Sequence, residues 1–410
     1  MRSVLCHLTC LCLFFTQAVP AQENNEKKLL TVLDSLLRKE VEAAQIAGGI
    51  LLVKSKGRVI CQKEVGYASR FDSSGNLLSN PEHLTRHHLF DIASLTKVVG
   101  TTTSIMLLTD EGKLHPDDYV GKYIPAFKAP DKKEITIRQL LTHTAGLYEW
   151  YPLYYRAQTR AETYALIASL PLKYPVGKER HYSDLGFILL GQIIEIISKQ
   201  PLEQFENRHI FIPLGMKHTL YNPARRKRDF GQLASTSYGN PYEYRMVHDS
   251  SLGFVFKEIN PDQWNGWRHY TLSGEVNDGN CWYACEGVNG AAGLFSTADD
   301  LQQLVGMLTG KEAGGLISKK TRDLFLVKDQ FNNGLGWMMD TANSFMKGAP
   351  EGSFGHTGFT GTSIAVIPSR QLSIILLVNR QNRGLLPSKE YYNLNPLRRQ
   401  VFETVLKLLN

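Results

Sequence analysis

The two ends of the chain carry the strand signals, and the middle does not. Near the N-terminus, residues 48–53 and 59–65 are short apolar runs around Lys54-Ser-Lys-Gly57, a hairpin turn signal. Near the C-terminus, residues 353–356, 362–367 and 372–378 read as three more strands, with Pro368-Ser-Arg370 turning between the last two. A lone hairpin is marginal in water, so the two ends are expected to complete one antiparallel sheet. The fold class is therefore α+β: an antiparallel sheet formed by both termini, flanked by helices, with a mostly helical insertion. Helices are expected over 26–43 (Leu29, Leu30, Leu33, Leu36, Leu37 and Val41 on one face), 185–197 and 397–409. The division expected is a sheet domain of 22–115 with 290–410, and a helical domain of 116–289 that covers a cleft. Proline punctuates the latter from Pro116 to Pro213, and residues 221–285, aromatic-rich and poorly periodic, are expected to be loops.

Residues 1–21 read as a signal peptide: Arg2, an apolar core over 4–15, and Val19-Pro-Ala21 as the cleavage site before Gln22. The net charge of +7 falls to +6 without that segment, too mild to mark a nucleic-acid surface. The one dense basic run, Arg225-Arg-Lys-Arg228, has no interleaved aromatics and is expected in a solvated loop. No other segment reaches 18 uninterrupted apolar residues, so the mature chain is expected to be exported, periplasmic or secreted, with no integral membrane span. Of six cysteines, Cys6, Cys10 and Cys12 leave with the leader. Cys61, Cys281 and Cys285 remain, which is no disulfide framework, although the spacing permits a Cys281–Cys285 bridge. No second ligand pair accompanies them to argue for zinc.

Chemistry gathers first at Phe90-Asp-Ile-Ala-Ser-Leu-Thr-Lys97, a short strand and turn followed by an apolar helix that begins at about Ser94. Ser94 and Lys97 lie three residues apart, so on a helix they share a face. Burial pushes a lysine's pKa down, and the neutral amine can then take a serine proton. The helix start also offers the Ser94 backbone N–H to developing negative charge. Ser-x-x-Lys alone is weak evidence: Ser344-Phe-Met-Lys347 repeats it in a polar loop.

Two further motifs add weight. Tyr182-Ser-Asp184 sits between the turn Tyr174-Pro-Val-Gly177 and the strongest helix of the region, whereas the similar Tyr238-Gly-Asn240 and Tyr391-Tyr-Asn393 lie in weakly structured stretches. His356-Thr-Gly358 lies on a C-terminal strand, where a glycine lets a substrate backbone approach. Taken singly, His143, His181 and His356 each read as a satisfied or surface histidine. The Gly-x-Ser-x-Gly pentapeptide is absent, its nearest match being Gly361-Thr-Ser-Ile-Ala365 within a strand.

In this order the three motifs resemble the serine β-lactamase and penicillin-binding family, in its class C branch with DD-carboxypeptidases and esterases. Leu140-Leu-Thr-His-Thr-Ala-Gly-Leu147, Asn289-Gly-Ala-Ala-Gly-Leu-Phe-Ser296 and Gly334-Leu-Gly-Trp337 extend the likeness over nearly all of the mature chain. The resemblance implies a β-lactamase/transpeptidase-like fold and an acyl-enzyme on Ser94, with Lys97 and Tyr182 sharing the proton work. It implies an oxyanion hole of the Ser94 and Phe359 N–H groups, and substrate contacts from Asp184, His356, Thr357 and Gly358. No metal or cofactor is implied, and the partner would be a small-molecule or peptidoglycan-peptide substrate. Two residues depart from the commoner pattern. Asp184 stands where many relatives have Asn and can only accept, so it is expected to hold Lys97 charged or positioned. His356 stands where β-lactamases have Lys, and is mostly neutral at pH 7. The expected function is a penicillin-binding, D-alanyl-D-alanine carboxypeptidase-like hydrolase. The alternatives are a carboxylesterase or weak β-lactamase on the same scaffold, and a non-catalytic binding protein.

Overall fold

The computed structural model describes residues 18–225, 232–310 and 315–409. The core of the expected leader and most of the 225–228 basic run lie outside them. Among the described residues there are eight strands: β1 (Gly48–Ser55), β2 (Arg58–Gly66), β3 (Phe90–Asp91), β4 (Leu220–Tyr221), β5 (Leu294–Ser296), β6 (Phe354–Thr357), β7 (Ser363–Ile367) and β8 (Leu372–Val378). The main sheet runs β2-β1-β8-β7-β6, so the N-terminal hairpin joins the C-terminal strands through β1 and β8. Leu52 pairs with Gln62 on one side and Ile375 on the other.

Period-two alternation splits this sheet between two cores. Leu51 and Val53 face the helices Ala18–Glu42 and Asn395–Leu408, packing with Leu33, Leu37, Val401 and Phe402. Ile50 and Leu52 face the other way, toward Val98, Val99, Ile364 and Ile375. The helix after Ser94 is thus buried beneath the sheet, and its Thr101, Thr103 and Ser104 hydroxyls are satisfied by donating to backbone carbonyls.

A second, three-stranded sheet runs β3-β5-β4 and pairs Phe90 with Ser296. It fixes where the turn that carries Ser94 leaves β3. Residues 294–296 form a strand, and Thr297 then caps the helix Ala298–Leu308 by accepting from the Asp300 N–H. Thr136 caps the helix Ile137–Leu141 in a capping box with Gln139. Residues 221–285 are mostly irregular, apart from the helix Pro241–His248 and short turns.

The Cys281–Cys285 bridge is not formed. Both thiols are buried and free, as is Cys61, and Cys281 Sγ donates instead to the Ala292 carbonyl. Among the described residues no single helix is long and apolar enough to cross a membrane.

Candidate active site

Ala93 occupies the left-handed region at φ 46°, a conformation that costs an alanine about 1 kcal/mol or more. Hydrogen bonds hold the turn in place. The Ala93 N–H donates to Asp91 Oδ1 at 2.8 Å and the Asn277 N–H to Asp91 Oδ2 at 2.7 Å. Thr360 donates to the Asp91 carbonyl and Thr362 to the Ile92 carbonyl, tying the turn to the loop after β6. Burial pushes the Asp91 carboxyl up to about 6. The chain then winds as a 3-10 turn (Ala93–Leu95), a π-helical stretch (Lys97–Thr102) and an α-helix (Thr103–Asp110). The expected single helix from Ser94 is therefore three geometries in series. Such π segments cluster at functional sites because they re-aim side chains.

Lys97 is 1% exposed, and its Nζ has three polar neighbours: Ser94 Oγ at 3.0 Å, the Ala291 carbonyl at 3.0 Å and Asp184 Oδ1 at 2.7 Å. The rings of Tyr182 and Phe187 stand 5.1 and 5.8 Å from it. Asn289 presents the Ala291 carbonyl, because its Oδ1 accepts from the N–H groups of Ala291 and Ala292. The expectation of a depressed lysine fails here. Burial does act to lower its pKa, but the Asp184 carboxylate and Tyr182 outweigh it and leave Lys97 raised.

Ser183 positions Tyr182 and Asp184 on either side of itself. Its Oγ accepts from the Gly186 N–H as N-cap of the helix Asp184–Ser198 and donates to the Tyr148 carbonyl at 2.6 Å. Its N–H donates to His143 Nδ1 at 3.0 Å. His143 is buried, stacks 4.3 Å from Tyr182 and is held well below the usual histidine range, first by burial and then by Arg180 and Lys97. It is a structural acceptor, as its sequence context indicated. His181 stacks on Tyr174 at the cleft rim. His356 is also buried, contacts the Thr357 carbonyl through Nδ1 at 2.9 Å and is pushed down to about 3, chiefly by burial and then by Lys97. It is neutral throughout the working range.

Gly358 is closely packed. A Cβ there would lie 2.1 Å from Thr362 Oγ1 and 2.4 Å from the Ile92 carbonyl. The protein's own Ile92 carbonyl and Thr362 side chain approach this glycine closely. The neighbouring Phe359 is exposed, with its ring among Tyr242, Tyr391 and Arg380 and its carbonyl accepting from Arg380 Nε. The N–H groups of Ser94 and Phe359 donate to no other group among the described residues.

Ser94, Lys97, Tyr182, Asp184 and Phe359 line one cavity of about 510 Å³. His143, His356 and Thr357 line an adjoining cavity of about 290 Å³ that Tyr182 shares. The larger cavity also holds Glu149, Glu243 and Asp278, which the sequence did not single out because they belong to no motif and come from two separate loops and the helix Pro241–His248. Burial and then Asp184 push Asp278 up to about 7, and burial, then Asp278 and Asp184, push Glu243 up to about 8. The second Ser-x-x-Lys lies elsewhere: Ser344 donates to the Asp340 carbonyl inside a turn. No cluster of three or more His, Cys, Asp or Glu able to hold a metal occurs among the described residues.

Comparison with known proteins agrees with this fold. The Beta-lactamase family model matches residues 33–395. A Bacillus subtilis protein named N-acetylmuramyl-L-alanine amidase is 32% identical over 89% of this chain and 84% of its own. A Salmonella typhi protein named for D-alanyl-D-alanine carboxypeptidase activity is 31% identical over 92% of this chain and 91% of its own. Among solved structures, EstCE1, a hydrolase with promiscuous acyltransferase activity, superposes with a TM-score of 0.65 at 21% identity, covering 92% of this chain and 99% of that one. A class C beta lactamase from Rhodobacter sphaeroides gives 0.63 at 18% identity, with 93% and 100% covered. The fold is β-lactamase/transpeptidase-like, and the chain belongs to the beta-lactamase family.

Proposed function

We propose that the protein is an exported serine hydrolase that forms an acyl-enzyme on Ser94 and cleaves D-alanyl-D-alanine-type peptides of cell-wall material. One observation carries this reading: Lys97 Nζ lies 3.0 Å from Ser94 Oγ and 2.7 Å from Asp184 Oδ1. Hydroxyl, amine and carboxylate in series make a proton path beside an exposed cleft. The names of the two relatives, both for bonds of cell-wall material, support the substrate class and an address outside the cytoplasm, in keeping with residues 1–21 as a leader. In this reading residues 116–289 form the domain that covers the cleft.

Lys97 rests as an ammonium against the Asp184 carboxylate. As Ser94 Oγ bonds to the acyl carbon, Lys97 passes a proton to Asp184 and takes the one Ser94 releases. The carbonyl electron pair moves onto oxygen, facing the N–H groups of Ser94 and Phe359, where each donor is worth about 3 kcal/mol. Collapse breaks the bond to the leaving nitrogen. That nitrogen takes a proton through Tyr182 from Lys97, and Asp184 returns its proton to the lysine. Water then repeats the sequence on the acyl ester and frees Ser94.

The test is intact-mass spectrometry with benzylpenicillin over time, with Ser94→Ala as control and hydrolysis of a D-Ala-D-Ala peptide measured beside it. An adduct that Ser94→Ala lacks, with D-alanine release, is the expected result. Turnover retained by Ser94→Ala would overturn the nucleophile. No adduct and no D-alanine, with activated carboxyl esters consumed, would replace the peptidase by a carboxylesterase.

A further inference from the structure

Glu206 is a carboxyl sealed against the helix that carries Lys97, and no step of the proposed reaction uses it. The side chain is 0% exposed and ends the helix Leu202–Glu206, where a π-helical turn (Asn207–Phe211) follows. Its two oxygens fill the space that a side chain at position 100 would need: a Cβ on Gly100 would lie 2.5 Å from each. Gly100 stands in the π-helical stretch Lys97–Thr102, three residues after the lysine. A glycine lets a group from a neighbouring helix come up against the backbone, and here that group is the Glu206 carboxyl.

A hydrogen-bonded line leads from this carboxyl to the lysine. Glu206 Oε2 lies 3.0 Å from the Tyr221 hydroxyl, which itself lies 3.4 Å from the Asn289 carbonyl. Asn289 Oδ1 accepts from the N–H groups of Ala291 and Ala292, and the Ala291 carbonyl accepts from Lys97 Nζ. The line is complete only if Glu206 carries a proton. An acid donates to Tyr221 and leaves the phenol proton for Asn289, whereas a carboxylate would take that proton itself. Burial pushes the carboxyl well above its usual range against the Tyr221 hydroxyl, and Glu203 and Glu195 add to the push. Among the described residues no cation pairs with it, and Arg160 is taken up by Glu195 and Glu203. Its Oε1 has no hydrogen-bond partner, which costs less for the carbonyl oxygen of an acid than for a buried charge.

We infer that Glu206 is a positioning residue for Lys97: set against Gly100 and joined to Tyr221 and Asn289, its carboxyl holds the Ala291 carbonyl on Nζ. It touches no substrate and moves no proton during the reaction. The inference rests on the acyl-enzyme reading above, in which Lys97 has to meet Ser94 and Asp184 at once.

Stopped-flow release of nitrophenol from the para-nitrophenyl ester of N-acetyl-D-alanine, with enzyme in excess, tests it. The plateau rate is that of acylation and does not depend on how much of a variant folds. Glu206→Leu fills the space without a donor, and Tyr221→Phe removes the link. Each should slow the plateau by about 10-fold or more, as a misplaced proton carrier does, while the half-saturating concentration of folded enzyme stays within about 2-fold. Both variants cut one line, so the double variant should fall less than about 3-fold below the slower single one. Glu206→Gln can still donate to Tyr221 and should stay within about 3-fold of the parent. A parental plateau in either single variant overturns the inference and leaves the acyl-enzyme intact. So does a loss confined to half-saturation, a fully additive double variant, or a Glu206→Gln enzyme as slow as Glu206→Leu. If Ser94→Ala releases nitrophenol as fast as the parent, the acyl-enzyme reading has failed, and this inference with it.

Discussion

Asp184→Asn keeps the shape of the lysine's partner and removes one charge. In the parent, Lys97 is 1% exposed and 2.7 Å from Asp184 Oδ1, a separation at which unit charges attract by about 6 kcal/mol with an effective dielectric of about 20. Desolvation offsets much of that, and removing one partner of a buried pair costs about 3–5 kcal/mol. Asp184 keeps 23% exposure and an Asn oxygen can still accept, so the lower end, about 3 kcal/mol near pH 7, applies. The pH dependence carries the sign. In the parent the folded pKa is raised, so the contribution is complete below the unfolded value of about 10.4 and is lost only as pH rises through the folded value. In Asp184→Asn burial acts with far less opposition and Lys97 falls below the unfolded value. Between those two pKa values the unfolded chain binds the extra proton, so the variant gains stability as pH rises. The deficit should be largest near neutrality and shrink toward pH 10. Urea titrations followed by tryptophan fluorescence at pH 6, 7.5, 9 and 9.8 measure it. A deficit under about 1 kcal/mol, or one that does not move with pH, would refute the ion-pair account. Acylation by an activated ester should also gain an alkaline rise in the variant that the parent lacks, as the neutral amine appears.

Two other perturbations probe the surroundings of the pair. Gly358→Ala places a Cβ 2.1 Å from Thr362 Oγ1 and 2.4 Å from the Ile92 carbonyl, and should cost about 1–3 kcal/mol in denaturation. Because the Phe359 N–H follows directly, stopped-flow acylation should slow by about 100-fold, and a parental rate would remove that N–H from the oxyanion hole. Glu243→Gln tests the buried acids. Glu243 is raised to about 8, so the folded protein keeps a proton that the unfolded chain has released, and parental stability falls as pH rises from 5 toward 8. The variant should lose at least about 1 kcal/mol less than the parent across that interval in urea titrations, and parallel curves would show Glu243 ionised in the folded state.

The strands of the main sheet were legible because alternation and turn residues are local signals: β8 falls on residues 372–378 as read, and β1, β2, β6 and β7 within two or three residues. β4 and β5 were not, since strands of two and three residues owe their state to pairing across the chain, Leu220 with Phe295 and Phe90 with Ser296. The widened helix after Ser94 was hidden for a similar reason. Gly100 lies where a Cβ would meet the buried Glu206 carboxyl at 2.5 Å, and nothing near Gly100 announces Glu206.

The site divides along the same line. Ser94 with Lys97, and Tyr182 with Asp184, were readable because each pair is fixed by one turn of local structure. The Ala291 carbonyl, Asp278 and Glu243 were not, since each reaches the cleft through long-range packing. The lysine shows what this does to chemistry. Burial alone predicts a neutral amine, and the same burial beside Asp184 gives an ammonium. Ser183 presents the partner: by capping the helix Asp184–Ser198 and holding the Tyr148 carbonyl, it helps place the Asp184 carboxylate 2.7 Å from Nζ. A chain with Asn at 184 would keep every fold-forming contact described for Ser183, yet would hold Lys97 in a different protonation state. In this protein the resting charge of Lys97 is thus set by the side chain at one position, separately from the fold that presents it.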